Sequence, residues 1–189
     1  MDEVRKDKDF DYDFIVIGSG PAGIHAAIQA AKLGKKVCII EKMPEKIGGS
    51  WIHTGTLPSK TLREGLATIH EIGAHVGKEW VQRVVTYLHN GKLFERTYKV
   101  SSLEDDLVRA HLRNNSITLL QGYATLESAF EIRVLSQGKD PQIISAAKIL
   151  IATGSKPRRP QSIPFDGWRV VDSDEIHESV RFTQSVLVQ

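Results

Sequence analysis

The sequence contains a single cysteine, Cys38, and no long run of apolar residues. One thiol excludes an internal disulfide framework and a cysteine-ligated metal site, and we predict no bound metal. Because Cys38 lies in the apolar segment 37–40, we expect it to be buried and unreactive. No apolar run approaches the roughly 18 residues that a membrane span requires, so we expect no membrane partner.

The sequence also lacks a strong excess of charge of either sign. Its 25 basic and 23 acidic side chains leave a formal net charge of +2, which argues against nucleic acid or a membrane surface as a partner. Residues 1–10 mix both signs and have no apolar core, so we expect a disordered tail rather than a targeting peptide, and a cytoplasmic protein. Residues 11–185 are long enough for one domain with a substantial core.

Hydrophobic patterns in residues 11–185 predict an α/β fold. Residues 14–17 are typical of a central parallel strand, 21–33 of a helix and 37–40 of a second strand. The later predicted elements are a helix from Pro58, an amphipathic helix with Leu103, Leu107, Ala110 and Leu112 on its apolar face and an end near Asn114, a strand at 117–120, a hairpin of 130–135 with 143–144, and a buried strand at 148–152.

A glycine-rich turn is predicted between the first strand and the first helix. Residues 18–23 have the pattern G-x-G-x-x-G, in which Gly18 allows the tight turn and Gly20 lets the backbone approach a pyrophosphate. Gly23 lets helix and strand pack closely, and the helix N-terminus favours phosphate. Glu41 follows Gly23 by 18 residues, where an acidic side chain binds ribose hydroxyls. A solvated carboxylate at a strand end is the alternative for Glu41.

Five segments resemble, in their order, the FAD-dependent pyridine nucleotide-disulfide oxidoreductases, which include glutathione reductase and dihydrolipoamide dehydrogenase. The segments are residues 15–23, 40–42, 48–49, 55–60 and 151–157. The resemblance implies a Rossmann-like FAD-binding fold with a parallel sheet, flanking helices and a small antiparallel hairpin or meander, incomplete relative to the family. Residues 11–185 would then be the FAD-binding domain, and 186–189 would begin a strand of an NAD(P)-binding domain.

The same resemblance assigns the residues that contact the cofactor. The expected FAD contacts are Gly18, Gly20, Pro21, Ala22, Gly23, Glu41, Lys42, Gly48, Gly49, Ser50, Gly55, Thr56, Lys60, Tyr123, Ala124, Ala152, Thr153 and Gly154. The resemblance places Lys60 near the flavin N5 atom, where its charge would stabilise the reduced ring. A lysine at a helix start is otherwise usually solvated.

The family pattern G-G-x-C-x-x-x-x-C-x-P-S-K falls on residues 48–60, with Trp51 and Thr56 in place of the two cysteines. No dithiol can form there, so dithiol turnover is not expected. The continuation through Glu64 is most similar to soluble pyridine nucleotide transhydrogenases, which also have threonine at the second cysteine position. The expected catalytic residues are therefore Lys60, Thr56 and Trp51. Two interpretations of Trp51 stay open, a position beside the flavin or a position in the core.

The resemblance implies hydride exchange between NADPH and NAD+ through FAD, with the pyridine nucleotides bound by a domain that these 189 residues do not include. A homodimer is expected for the full-length protein. The present chain alone is expected to bind FAD weakly and to be inactive. Two alternatives stay open, a divergent dihydrolipoamide dehydrogenase relative and a non-catalytic FAD-binding module.

Overall fold

The computed structural model describes residues 9–88, 92–176 and 187–188. The chain divides into two compact units. The first contains the residues up to Ser50 together with Asp105–Ser155, and the second contains Trp51–Glu104 and the residues from Lys156 onward. Residues 1–8 of the predicted tail, and residues 186 and 189 of the predicted strand start, lie outside the described residues.

A parallel sheet organises the first unit. Strand β1 (Tyr12–Ile17) pairs in parallel with β2 (Val37–Glu41), which pairs in parallel with β3 (Thr118–Gln121). Helix α1 (Pro21–Lys32) connects β1 to β2 and buries Ile24 and Ala27. The first three predicted elements are confirmed, because apolar runs buried on both faces and punctuated by glycine and proline are a strong local signal.

An antiparallel meander completes the six-stranded sheet. It contains β4 (Tyr123–Leu126), β5 (Glu131–Leu135) and β6 (Gln142–Ile151), and the strand order is β3-β2-β1-β6-β5-β4. The first half of β6 pairs antiparallel with β5, and the second half pairs parallel with β1. The predicted return arm at 143–144 and the predicted strand at 148–152 are therefore one continuous strand. Strand β4 was not predicted.

One apolar cluster joins the two parts of this sheet. Its buried members are Ile15, Cys38, Ile40, Ile132, Val134, Ile144 and Ala146. Strands β1 and β2 therefore turn Ile15 and Ile40 toward the inner face of the meander, while Val16 lies on the side of α1. The predicted α/β fold with a parallel sheet, flanking helices and a small antiparallel meander is confirmed.

Helices form most of the second unit. Helix α2 (Ser50–His53) is short, α3 (Thr56–Val76) is long, and α4 (Lys78–Leu88) packs against α3. Helix α5 (Lys92–Asn114) begins in the second unit and ends in the first. Helix α3 begins two residues before the predicted start at Pro58, because Gly55 is its N-cap. No helix in the described part of the chain is long and apolar enough to cross a membrane.

The predicted apolar face of α5 is wrong for two of its four residues. Leu103 and Leu107 are 56% and 53% exposed, whereas Val108 and Leu112 are buried. The buried stripe continues toward the helix N-terminus through Phe94, Thr97 and Ser101. Two of these residues are polar, so a search for apolar spacing alone does not find this stripe.

Residues 156–176 form turns and irregular backbone in the second unit. Arg159 pairs with Asp172 at 2.7 Å and with Glu175 at 2.6 Å. The hydrogen bond from Arg159 holds the pKa of Asp172 below its ordinary value. The Arg159 guanidinium also lies over the Phe165 ring, 5.3 Å from its centroid. These contacts order a segment that has no regular secondary structure.

Candidate functional site

The carboxyl ends of β1, β2 and β6 meet at one edge of the first unit. Ile17, near the end of β1, is in register with Ile40 and with Ile151. Just beyond it, the Gly18 N–H donates to the Ile40 carbonyl at 2.8 Å, and the Ala152 N–H donates to the Ile17 carbonyl at 2.8 Å. Ligands of parallel α/β sheets bind at this edge.

The three glycines of the turn have three different environments. Gly18 has a φ of +103°, and a Cβ atom there would lie 2.4 Å from the Ala152 carbonyl oxygen. A Cβ atom on Gly23 would lie 2.2 Å from the Gly18 carbonyl oxygen. A Cβ atom on Gly20 would have no atom within 4 Å. The fold therefore requires glycine at the outer two positions, while the space beside Gly20 is open.

The open space lies at the N-terminus of α1. Gly20 is the N-cap residue of α1, and having no side chain it cannot cap the N–H groups of the first turn. Pro21 occupies the first turn, and Pro21 and Ala22 are exposed. Uncapped N–H groups and the helix dipole favour an anion at this place.

The Glu41 carboxylate is hydrogen-bonded to both loops that flank this helix end. Its Oε2 atom accepts the Ser19 N–H at 2.9 Å and the Ser19 hydroxyl at 2.8 Å. Its Oε1 atom accepts the Met43 N–H at 3.0 Å. Ser19 is fully buried and Glu41 half-buried. The half-buried Glu41 carboxylate is therefore held by three hydrogen bonds, while Lys42 beside it is exposed.

The loop after β2 approaches the glycine-rich turn. Gly48 and Gly49 have φ values of +95° and +77°. A Cβ atom on Gly49 would lie 2.9 Å from the Cα atom of Gly20. The Gly48 N–H donates to the Ser19 hydroxyl at 3.3 Å, and Ser50 after these glycines is exposed.

Arg109 of α5 holds the start of the same loop. The loop begins with a 3₁₀ helix (Pro44–Lys46), and the Arg109 guanidinium donates to the Pro44 carbonyl oxygen. Asp105, one turn earlier on α5, pairs with the Arg109 Nε atom. Ser19 and Arg109 are both absent from the predicted site residues. Ser19 is identified by its buried hydroxyl, and Arg109 by its contact with a residue distant in sequence. The sequence pattern gives no signal for either residue.

Some of the remaining predicted residues of the first unit lie at the carboxyl edge of the parallel strands. Ala152, Thr153 and Gly154 follow β6 beside the Gly18 turn, and Gly154 has a φ of +70°. Tyr123 and Ala124 begin β4, next to Gly122, whose N–H donates to the Glu41 carbonyl at 2.8 Å. Tyr123 is 61% exposed, whereas Ala124 packs against the core cluster.

The predicted flavin-ring residues lie in the second unit. Thr56 and Lys60 belong to the first turns of α3 and have exposed side chains, and Gly55 is the N-cap. Trp51 belongs to α2 and is half-buried. Its indole Nε1 atom is buried and has no hydrogen-bond partner among the described residues.

The prediction that Cys38 is a buried thiol is confirmed. Its side chain is fully buried in the core cluster, and this burial raises the pKa of the Cys38 thiol to about 12. A thiol with so high a pKa carries almost no thiolate at neutral pH. Cys38 therefore does not replace the cysteines that are absent from residues 48–60.

Comparison with known proteins gives a consistent family. The sequence profile described as "Pyridine nucleotide-disulphide oxidoreductase" matches residues 12–188. The chain is 37% identical over 179 residues to a protein named soluble pyridine nucleotide transhydrogenase from Mycobacterium tuberculosis, covering 94% of this chain and 38% of the relative. A protein of the same name from Colwellia psychrerythraea is 36% identical over 182 residues, with 96% and 39% covered. The chain thus spans about two fifths of the length of these relatives.

Solved structures share the fold. The HOCl-induced flavoprotein disulfide reductase RclA from Escherichia coli superposes with a TM-score of 0.68 and 24% identity, covering 90% of this chain and 34% of that protein. Its Cu(II) complex gives a TM-score of 0.69, again with 24% identity, and covers 90% of this chain and 35% of that protein. At this identity the structures support the fold alone. The match over residues 12–188 shows that the chain belongs to the pyridine nucleotide-disulphide oxidoreductase family.

Proposed function

We propose that this chain is the FAD-binding part of a flavoprotein oxidoreductase of the soluble pyridine nucleotide transhydrogenase type. The observation that carries the proposal is the open backbone at Gly20, at an uncapped helix N-terminus and next to the Ser19–Glu41 pair. The fold leaves space where a dinucleotide pyrophosphate would approach, while it fills the space beside Gly18 and Gly23. The relatives named transhydrogenases give the type of oxidoreductase.

The residues of the first unit fit the adenosine and pyrophosphate parts of FAD. The N–H groups at the start of α1 would bind the pyrophosphate, and Gly20 would allow its close approach. The Glu41 carboxylate would accept hydrogen bonds from the ribose hydroxyls. Ala152, Thr153 and Gly154, at the same sheet edge, are proposed to cover the cofactor. Bound FAD would supply the two-electron chemistry, and the protein supplies orientation and electrostatics.

In the second unit, Lys60, Thr56 and Trp51 are the proposed flavin-ring residues. The exposed Lys60 ammonium is proposed to supply positive charge that stabilises the reduced ring. A threonine at position 56 cannot form a disulfide or a thiolate, which agrees with turnover that needs no dithiol. The Trp51 indole N–H has no partner among the described residues, and a buried indole N–H normally has one. Because protein atoms already cover this nitrogen, it does not decide between a position of Trp51 beside the flavin and a position in the core.

For the whole protein we propose hydride exchange between NADPH and NAD+, a homodimer, and a cytoplasmic location. The relatives that support this exchange are more than twice as long as the chain, so the pyridine nucleotides would bind to segments beyond these residues. The 189-residue chain alone is proposed to bind FAD weakly and to show no turnover.

The first experiment measures FAD binding to the 189-residue chain by calorimetry and by flavin fluorescence. We expect saturable binding that Gly20→Ala abolishes, because the added methyl group occupies the space beside the helix N-terminus. Ser145→Ala is the control, since Ser145 hydrogen-bonds to Asp11 at the other end of the sheet. A chain that is folded and shows no saturable FAD binding would overturn the proposal.

The second experiment assays the whole protein with NADPH as donor and thio-NAD+ as acceptor. We expect exchange that Lys60→Met lowers in kcat by about 10²-fold, the usual cost of removing one electrostatic stabiliser. Lys35→Met is the matched control, because Lys35 is exposed in the turn after α1. Lipoamide reduction with comparable kcat would support a dihydrolipoamide dehydrogenase relative instead. FAD binding without either activity would support a non-catalytic module.

A further inference from the structure

Ser19 is a buried hydroxyl at a position where the glycine-rich turn requires none. Its exposed fraction is 0%, and its backbone φ is not among the positive values of the described chain. Any small residue would satisfy the turn between Gly18 and Gly20, because only the flanking glycines are constrained. The presence of a polar side chain in a fully buried place therefore calls for a reason other than the turn.

The Ser19 hydroxyl is used both as a donor and as an acceptor. It donates to Glu41 Oε2 at 2.8 Å, and it accepts the Gly48 N–H at 3.3 Å. The Ser19 N–H donates to the same Oε2 atom at 2.9 Å. One hydroxyl thus connects the glycine-rich turn to the end of β2 and to the loop that carries Gly48.

These bonds fix the orientation of the Glu41 carboxylate without saturating it. Oε2 accepts two hydrogen bonds from Ser19, and Oε1 accepts one from the Met43 N–H. A carboxylate offers about four acceptor positions, so at least one stays available on Oε1 for a ligand hydroxyl. Hydrogen bonds to a charged acceptor are also stronger than those between neutral groups.

We propose that Ser19 is a positioning residue that holds Glu41 in the orientation that binds the adenosine ribose and ties the Gly48 loop to the same carboxylate. The proposal rests on the proposed FAD-binding function. Without the Ser19 hydroxyl, the Glu41 carboxylate would keep only its bonds from the Ser19 and Met43 N–H groups, and the Gly48 N–H would lose its acceptor. Ser19 therefore acts through Glu41 and the loop, and not by touching the cofactor.

The test measures how strongly the site distinguishes ADP from 2′-deoxy-ADP, each used as a competitor of FAD on the 189-residue chain. We expect the wild-type chain to prefer ADP by about tenfold, the value of one good hydrogen bond to a charged group. Ser19→Ala should lower this preference toward one and weaken FAD binding by about tenfold. Ser19→Cys, with a weaker donor, should give intermediate values.

Two matched variants separate positioning from a general loss of structure. Ser145→Ala also removes a serine–carboxylate hydrogen bond of 2.8 Å in the same unit, and it should leave the ADP preference unchanged. Glu41→Ala should remove the preference, and the double variant with Ser19→Ala should lose little more than Glu41→Ala alone. Such non-additivity is expected when one residue acts through the other.

The competition constants report only the folded, binding-competent molecules, so a lower melting temperature of Ser19→Ala does not mask the result. Equal weakening of ADP and 2′-deoxy-ADP, with the preference retained, would show a merely structural role and overturn the proposal. An unchanged preference in both Ser19→Ala and Ser19→Cys would do the same. Failure of FAD to bind the folded wild-type chain is a separate outcome that overturns the proposed function and, with it, this inference.

Discussion

Gly23 and Gly20 belong to one motif, yet alanine at Gly23 should mainly lower stability, whereas alanine at Gly20 should mainly lower FAD binding. The Cβ atom of Gly23→Ala would lie 2.2 Å from the Gly18 carbonyl oxygen and 3.0 Å from Val16 Cγ1. Real Cβ atoms essentially never approach other atoms closer than 3.0 Å, so α1 would have to move away from β1 by about 0.8 Å. The atom in the way is backbone, so no side-chain rotation relieves the contact.

Overpacking of this kind costs about 1–3 kcal/mol, and replacing glycine by alanine in a helix offsets up to about 1 kcal/mol. We therefore expect Gly23→Ala to lower the free energy of unfolding by about 1–2 kcal/mol. For a chain of this length that corresponds to a fall in melting temperature of about 2–8 °C. In Gly20→Ala the added Cβ meets no atom within 4 Å, and the φ of −71° suits alanine. Its stability should change by less than about 1 kcal/mol.

Urea unfolding and thermal melts followed by circular dichroism measure the two stabilities, and FAD titration measures binding below the melting transition. We expect Gly23→Ala to be destabilised. Its folded molecules should still bind FAD, and any weakening of binding should come from the displacement of α1. Gly20→Ala should unfold like the wild type and fail to bind. Equal destabilisation by the two substitutions would refute the reasoning, because it would mean that the space beside Gly20 is not open in the folded chain.

Three further predictions test other parts of the fold. Ser116 follows α5 with a φ of +55°, so Ser116→Gly should raise the free energy of unfolding by about 0.5–1 kcal/mol in urea titrations. Cys38 should react with a thiol reagent only after unfolding, because the fully buried thiol has a pKa of about 12; rapid reaction of the native chain would contradict this. The hydrogen bond from Arg159 lowers the pKa of Asp172 below 3.8, so its stabilisation is complete above that pH and lost as pH falls through the lowered pKa. The protection factor of the Glu175 amide, whose N–H donates to Asp172, should therefore fall in acid, and Arg159→Met should remove part of that dependence.

The sequence is most informative where structure is local. Strands β1 and β2 are buried on both faces, so they appear as apolar runs, and Gly18, Pro21 and Gly34 mark the ends of the elements between them. The position of Glu41 at the end of β2 follows from the same strand–helix–strand segment. All of these signals lie within that one segment, which is the range over which sequence motifs predict structure reliably.

The sequence is less informative where burial depends on distant residues. Leu103 and Leu107 have the spacing of a helix face, but the buried stripe of α5 includes Ser101, whose hydroxyl donates to the Ile52 carbonyl at 2.7 Å. Only a partner 49 residues away makes a serine suitable for a buried face. Strand β6 presents a similar problem, because its first half pairs with β5 and its second half with β1. A change of partner within one strand leaves no mark in hydrophobic alternation.

The glycine-rich turn contains positions that the fold requires and one position that the fold leaves open. Gly18 and Gly23 are required by close backbone contacts, so the fold itself demands them whether or not a dinucleotide binds. Gly20 has no such structural requirement, so a substitution there should affect the proposed FAD binding while the fold is kept. Trp51 and Thr56, at the places of the redox cysteines, lie in the other unit. The absence of the two cysteines from residues 48–60 therefore does not argue against the glycine-rich turn, whose contacts among Ser19, Glu41 and Gly48 support the proposed FAD site.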